Sequence, residues 1–181
     1  MRESIGKIPG GFNPAIIHLV GAIVTWWARA EGMMVQDLRW LRSLPVNASV
    51  YKNDMFPTQT KRTIKQWGKC QRNLWAGHAK GLKALELVHN EALALLEERN
   101  AIVHSFWPYW HHDPERIVLH SVKPVKDNPD KLLIVKYEAS VDELDDLNER
   151  VRNLYHRVLN VSGAALNRAK QKQPKGDAGG G

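Results

Sequence analysis

A chain of 181 residues, 43% of them apolar, is long enough for one domain with a sizeable core and too apolar for a disordered segment. Its single cysteine, Cys70, excludes an internal disulfide framework and a cysteine-based zinc site within one chain, and fits a reducing, cytoplasmic setting. The net charge of +7 and pI of about 9.6 favour an anionic partner, nucleic acid or an anionic surface.

Residues Met1 to Phe12 read as a loose lead-in broken by Pro9-Gly10-Gly11. Asn13-Pro14 is a helix start, an N-capping side chain followed by proline at the first helical position. The first helix is expected to run to about Leu44, before Pro45. Its apolar stripe is Ile16, Val20, Ile23, Trp27, Met34, Leu38 and Leu41. Arg2 and Lys7 precede this segment and Ala28-Arg29-Ala30 has the small-residue pattern of a signal cleavage site. The stripe continues through that site, and the run holds His18 and Thr25 and is too short to cross a bilayer, so it reads as a core helix and no membrane partner is expected. Glu31 falls on the stripe, where a carboxylate needs a partner or a route to solvent.

Residues 46 to 58 read as a loop, and a second helix is expected from Thr58 to about Trp75 with the stripe Ile64, Trp67, Gln71 and Leu74. Arg62, Lys65, Lys69 and Arg72 follow in steps of three, four and three and therefore share one side of it. Between Lys52 and Lys83 there are eight Lys or Arg against one acid, Asp54, a local surplus of +7 equal to that of the whole chain. Such a face suits an RNA backbone, and equally suits plain solvation.

Gly77 and Gly81 bracket an expected break, and a third helix is expected from about Leu82 to Trp107. Its stripe, Leu82, Leu85, Val88, Ala92, Leu95, Leu96, Arg99, Ile102 and Val103, places Arg99 in line with the core, an expensive position for a guanidinium without a partner. Glu31 is the obvious candidate. After Pro108 come Tyr109, Trp110, His111 and His112, then two β-like runs, Arg116 to Lys123 and Leu132 to Glu138, joined by the turn chemistry of Lys126-Asp127-Asn128-Pro129-Asp130. Ser140-Val141-Asp142-Glu143 is a capping box opening a last helix with the stripe Val141, Leu144, Leu147, Val151, Leu154, Val158, Val161 and Ala165, fading near Lys170. The tail from Gln173 to Gly181 is polar, Gly-rich and expected to be disordered. The expected fold is mainly α, an up-and-down four-helix bundle over residues 13–172 with a small β-hairpin between helices three and four.

The chemistry gathers at Glu98-Arg99-Asn100-Ala101-Ile102-Val103-His104. This segment resembles the Arg-polar-x3-His motif of the HEPN superfamily, many of whose members are metal-independent RNases. The resemblance implies an endoribonuclease. His104 would be general acid/base, Arg99 would stabilise the phosphate and Asn100 would orient one of them, with Glu31 supporting. Attack by the 2′-hydroxyl would leave 2′,3′-cyclic phosphate and 5′-hydroxyl ends. The family also implies a homodimer with a composite site, no cofactor and no metal, and a toxin or defence role with an antitoxin or regulatory partner. Arg62, Lys65, Lys69 and Arg72 would guide RNA. Some family members carry a tyrosine two positions after the histidine that a partner enzyme modifies; here that position is Phe106, which rules out such control at that residue.

Five residues of α-helix turn about 500°, so Arg99 and His104 point about 140° apart on a regular helix. Either the last turn distorts, the arginine stem curls round, or a partner chain completes the site. Arg72-Asn73-x4-His78 is a second Arg/His pair if the spacing is relaxed. His111-His112-Asp113 is a weak metal candidate, and His18, His89, His120 and His156 read as surface or core-edge residues. The chain has no Gly-rich phosphate loop and no Gly-x-Ser-x-Gly elbow. The alternative to an enzyme is a non-catalytic helical module, binding RNA or a nucleotide or serving as a dimeric scaffold, in which Arg99 and His104 are structural.

Overall fold

The computed structural model describes residues 13–50, 59–105, 116–125 and 128–172. The expected lead-in, the aromatic and His cluster after Pro108, the turn residues 126–127 and the tail lie outside them. The described residues are mainly helical, with a two-stranded antiparallel sheet. Helix α1 (Pro14–Leu41) leads to a short 3-10 helix (Pro45–Val50), followed by α2 (Thr60–Trp75), α3 (Ala79–Val103), strands β1 (Arg116–Val125) and β2 (Asn128–Ser140), and α4 (Val141–Lys172).

The ends of these elements follow from local chemistry. The Ala15 amide donates to Asn13 Oδ1 at 2.9 Å, so Asn13 caps α1 as its sequence position predicts. At α4 the capping box closes both ways: the Ser140 amide donates to Glu143 Oε2 at 2.7 Å, and the Glu143 amide to Ser140 Oγ at 3.1 Å. These bonds hold the Glu143 carboxyl below its usual range.

Several boundaries differ from expectation. Helix α1 stops at Leu41 rather than near Leu44, because the Asn47 side chain folds back and its Nδ2 donates to the Leu41 carbonyl at 2.9 Å. The expected loop after Pro45 is therefore partly ordered, with Asn47 fully buried and accepting from Asn73 Nδ2 at 2.9 Å. Helix α3 starts at Ala79, so Gly81 lies in its first turn instead of marking a break. His78 Nδ1 accepts from the Gly81 amide at 3.0 Å and does the capping. The break itself is Gly77, whose φ of +78° is a conformation that costs an L-residue about 1–2 kcal/mol.

The chain divides into two compact units, Met1–Trp26 with Leu96–Val151, and Trp27–Leu95 with Arg152–Gly181; α1, α3 and α4 each contribute a segment to both. In the first, Ile16, Leu19 and Ile23 of α1, Ile102 of α3, Ile117 and Leu119 of β1, and Leu144 and Leu147 of α4 are buried. The hairpin register pairs Ile117 with Ala139 and Leu119 with Tyr137, so alternate residues supply its inner face.

In the second unit Trp27, Met34, Trp67, Leu74, Leu85 and Leu154 are buried, and the α2 stripe of Ile64, Trp67, Gln71 and Leu74 is buried as expected. The α1 stripe is more regular than anticipated: Leu19 replaces the half-buried Val20, and Ala30 fills the gap between Trp27 and Met34. On α4 Ser162, not Val161, faces inward. Its hydroxyl donates to Asp37, a buried carboxylate on α1 that also accepts from Trp67 Nε1 at 2.8 Å and Gln71 Nε2 at 3.3 Å. Burial pushes the Asp37 carboxyl above its usual range, against the pull of these three donors.

Candidate functional site

Arg99, Asn100 and His104 come together at the C-terminal end of α3. Arg99 Nη1 donates to Asn100 Oδ1 at 3.0 Å and stands 3.4 Å from His104 Nε2, the long end of hydrogen-bond range. The opposed directions that a regular helix would impose are resolved within one chain. Helix α3 ends at Val103, between the two residues, and His104 is a turn residue held by its amide to the Asn100 carbonyl at 3.0 Å. An arginine can only donate, so the contact is a hydrogen bond in the tautomer that leaves a lone pair on His104 Nε2. His104 is exposed, while Arg99 and Asn100 are half-buried. Arg99 Nε is buried without a hydrogen-bond partner, so the guanidinium keeps one donor unmet.

The residue before Arg99 anchors this end of α3. Glu98 forms a two-bond pair with Arg150 of α4, at 2.9 Å to Nη1 and 2.7 Å to Nη2. The Arg150 side chain is 41% exposed and that of Glu98 35%, so the pair is worth about 0.5–1 kcal/mol and its geometry matters more than its energy. Burial raises the Tyr137 hydroxyl pKa, and the neighbouring Glu98 and Glu143 carboxylates raise it further against Arg150. Sequence reading missed this anchor. Glu98 and Arg150 are 52 residues apart, and only the adjacency of Glu98 to Arg99 offered a hint.

Glu31, the expected partner of Arg99, accepts from Trp27 Nε1 at 3.3 Å, one helical turn away. Among the four basic residues of α2, Arg62, Lys65 and Lys69 are exposed and Arg72 is half-buried. Arg72 does not meet His78. Its Nη2 stands 3.5 Å from Nδ1 of His89, on α3, and His89 is buried rather than at the core edge. His78 instead caps α3 and stacks at a tilt on Trp75. The His111-His112-Asp113 candidate lies outside the described residues, among which no cluster of three or more His, Cys, Asp or Glu is placed to hold a metal. Among the described residues no helix is long and apolar enough to cross a membrane.

The chain matches no family model, no curated protein and no solved structure.

Proposed function

We propose that this protein is a metal-independent endoribonuclease of the HEPN type, with Arg99, Asn100 and His104 as its site. The observation that carries this reading is the meeting of the Arg99 guanidinium and the His104 imidazole at an exposed helix end, with Asn100 bonded to the same Nη1. In cleavage His104 Nε2 takes the proton of the 2′-hydroxyl, and the resulting alkoxide attacks the adjacent phosphorus. The pentacoordinate phosphorane gains negative charge on its oxygens, and Arg99 stabilises it as a fixed fork of donors. The P–O5′ bond then breaks, leaving a 2′,3′-cyclic phosphate, and the 5′-oxygen takes a proton. In the free protein Arg99 donates to the nitrogen that must act as base, so an arriving phosphate draws Arg99 onto itself and frees the lone pair of His104.

One chain supplies a single motif, and a second His104 from a partner copy serves as the acid for the leaving oxygen. The exposed cations Arg62, Lys65 and Lys69, with Arg72, track the RNA backbone. The helical pattern supports an up-and-down arrangement of the four helices, the single cysteine supports a cytoplasmic location, and the resemblance implies a toxin or defence role restrained by an antitoxin. The test is cleavage of a mixed RNA substrate in EDTA by wild type beside His104→Ala. Wild-type-only cleavage leaving cyclic phosphate ends is expected; equal activity in both would remove His104 from the chemistry.

The basic face of α2 supports a second reading, a non-catalytic RNA-binding module, because it needs neither Arg99 nor His104. RNA binding without cleavage by folded, dimeric protein would favour it.

A further inference from the structure

We infer that His89 is a positioning residue that holds Arg72 as a phosphodiester clamp on the basic face of α2. This rests on the RNA-binding part of the proposed function and does not depend on the cleavage chemistry. Three observations converge on it.

The first is contact. Arg72 Nη2 stands 3.5 Å from His89 Nδ1, across from α2 to α3. Arginine offers only donors, so this contact is a hydrogen bond when His89 is neutral and presents its Nδ1 lone pair. Its surroundings favour that form: burial lowers the imidazole pKa, and the Arg72 and Lys65 cations lower it further, against Asn90 and Glu86. A neutral imidazole takes up one donor of the guanidinium without cancelling its charge, where a carboxylate would neutralise it.

The second is the way His89 is seated. It is 7% exposed, and Nε2 is buried without a partner. The ring lies against α2 at Gly68. A Cβ at that position would come within 2.9 Å of Nε2 and closer still to Cδ2. Gly68 is therefore the residue that lets α3 bring an imidazole beneath the basic face, and the backbone of α2 fixes the ring in place.

The third is the setting of Arg72 itself. It is the half-buried member of a row whose Lys65 and Lys69 are exposed. Lysines grip phosphate as flexible point charges, whereas an arginine with a braced guanidinium presents its remaining N–H donors in a fixed plane. One oriented fork at the end of a row that carries two exposed ammonium groups suits successive phosphates of a single RNA strand.

The experiment measures binding of a fluorescent single-stranded RNA oligonucleotide by anisotropy over a range of salt, in a His104→Ala background so that RNA stays intact. Arg72→Ala and His89→Leu should each weaken binding about 5–10-fold and each reduce the slope of log K against log salt by about one contact. The double variant should be no weaker than Arg72→Ala alone, because His89 acts through Arg72. His89→Asn, whose Oδ1 replaces Nδ1 as acceptor, should bind within about twofold of the parent. Gly68→Ala, which displaces the ring, should behave as His89→Leu does. Additive losses, an unchanged salt slope in folded His89→Leu, or failure of His89→Asn to rescue would each overturn the clamp. A parent that binds no RNA would overturn it together with the α2 interface. Cleavage by the His104-containing protein, assayed separately, would still decide the catalytic site.

Discussion

Two arginine–histidine pairs stand at nearly equal separations in different units of this molecule, 3.4 Å for Arg99 with His104 and 3.5 Å for Arg72 with His89. In the first the histidine is exposed at a helix end, where it can meet substrate and exchange protons with it. In the second it is buried against a glycine, and its surroundings oppose protonation. Residue type and distance are shared; access to water divides a pair suited to proton transfer from one suited to holding a cation in place.

The largest effect that would break this contrast is catalytic. His104→Ala should lower RNA cleavage by about 10²–10⁴-fold with an unchanged melting temperature, because an exposed imidazole contributes little packing. A matching loss of stability would make the exposed pair as structural as the buried one.

Next comes the buried carboxylate of the second unit. Asp37→Ala leaves the Trp67, Gln71 and Ser162 donors without their acceptor and should cost about 3 kcal/mol in denaturant unfolding. Asp37→Asn keeps an acceptor and sheds the charge. The folded-state pKa of Asp37 is raised, so its contribution is full below 3.8 and fades as pH rises through the folded pKa. The Asn variant should therefore equal or exceed wild type near neutrality and lose that decline.

A smaller effect, of opposite sign, belongs to His89. Its folded-state pKa is lowered, so its contribution is present above 6.5 and is lost as pH falls from there through the folded value. His89→Leu should flatten this acid limb in melting temperatures recorded against pH, and an unaltered limb would mean that the imidazole is not held neutral. Smallest is Arg150→Ala. The half-exposed pair with Glu98 should contribute no more than about 1 kcal/mol to unfolding, while the cleavage rate falls because the end of α3 loses its anchor.

Much of this was legible along the chain. Asn13-Pro14 and Ser140-x-x-Glu143 mark helix starts because their capping bonds reach only two or three residues. The hairpin and the buried α2 stripe follow from period alone. Partners far apart in sequence were not legible. Asp37 falls three after Met34 and four before Leu41, squarely on the buried row, yet Glu31, between Trp27 and Met34, is the more conspicuous carboxylate of the stripe. Nothing local identifies Ser162 as the third donor, 125 residues away. The Arg99–Asn100–His104 grouping was readable as a motif, but its geometry was not. A helix that stops at Val103 instead of running to Trp107 is what turns two residues pointing apart into neighbours.

That stopping point gives the site a built-in reporter. The His104 amide is tied to the Asn100 carbonyl by one backbone bond at the end of α3, so whatever unravels the final turn exposes this N–H to solvent and releases the imidazole from Arg99 together. Hydrogen–deuterium exchange at a single amide thus measures how often the candidate catalytic pair comes apart.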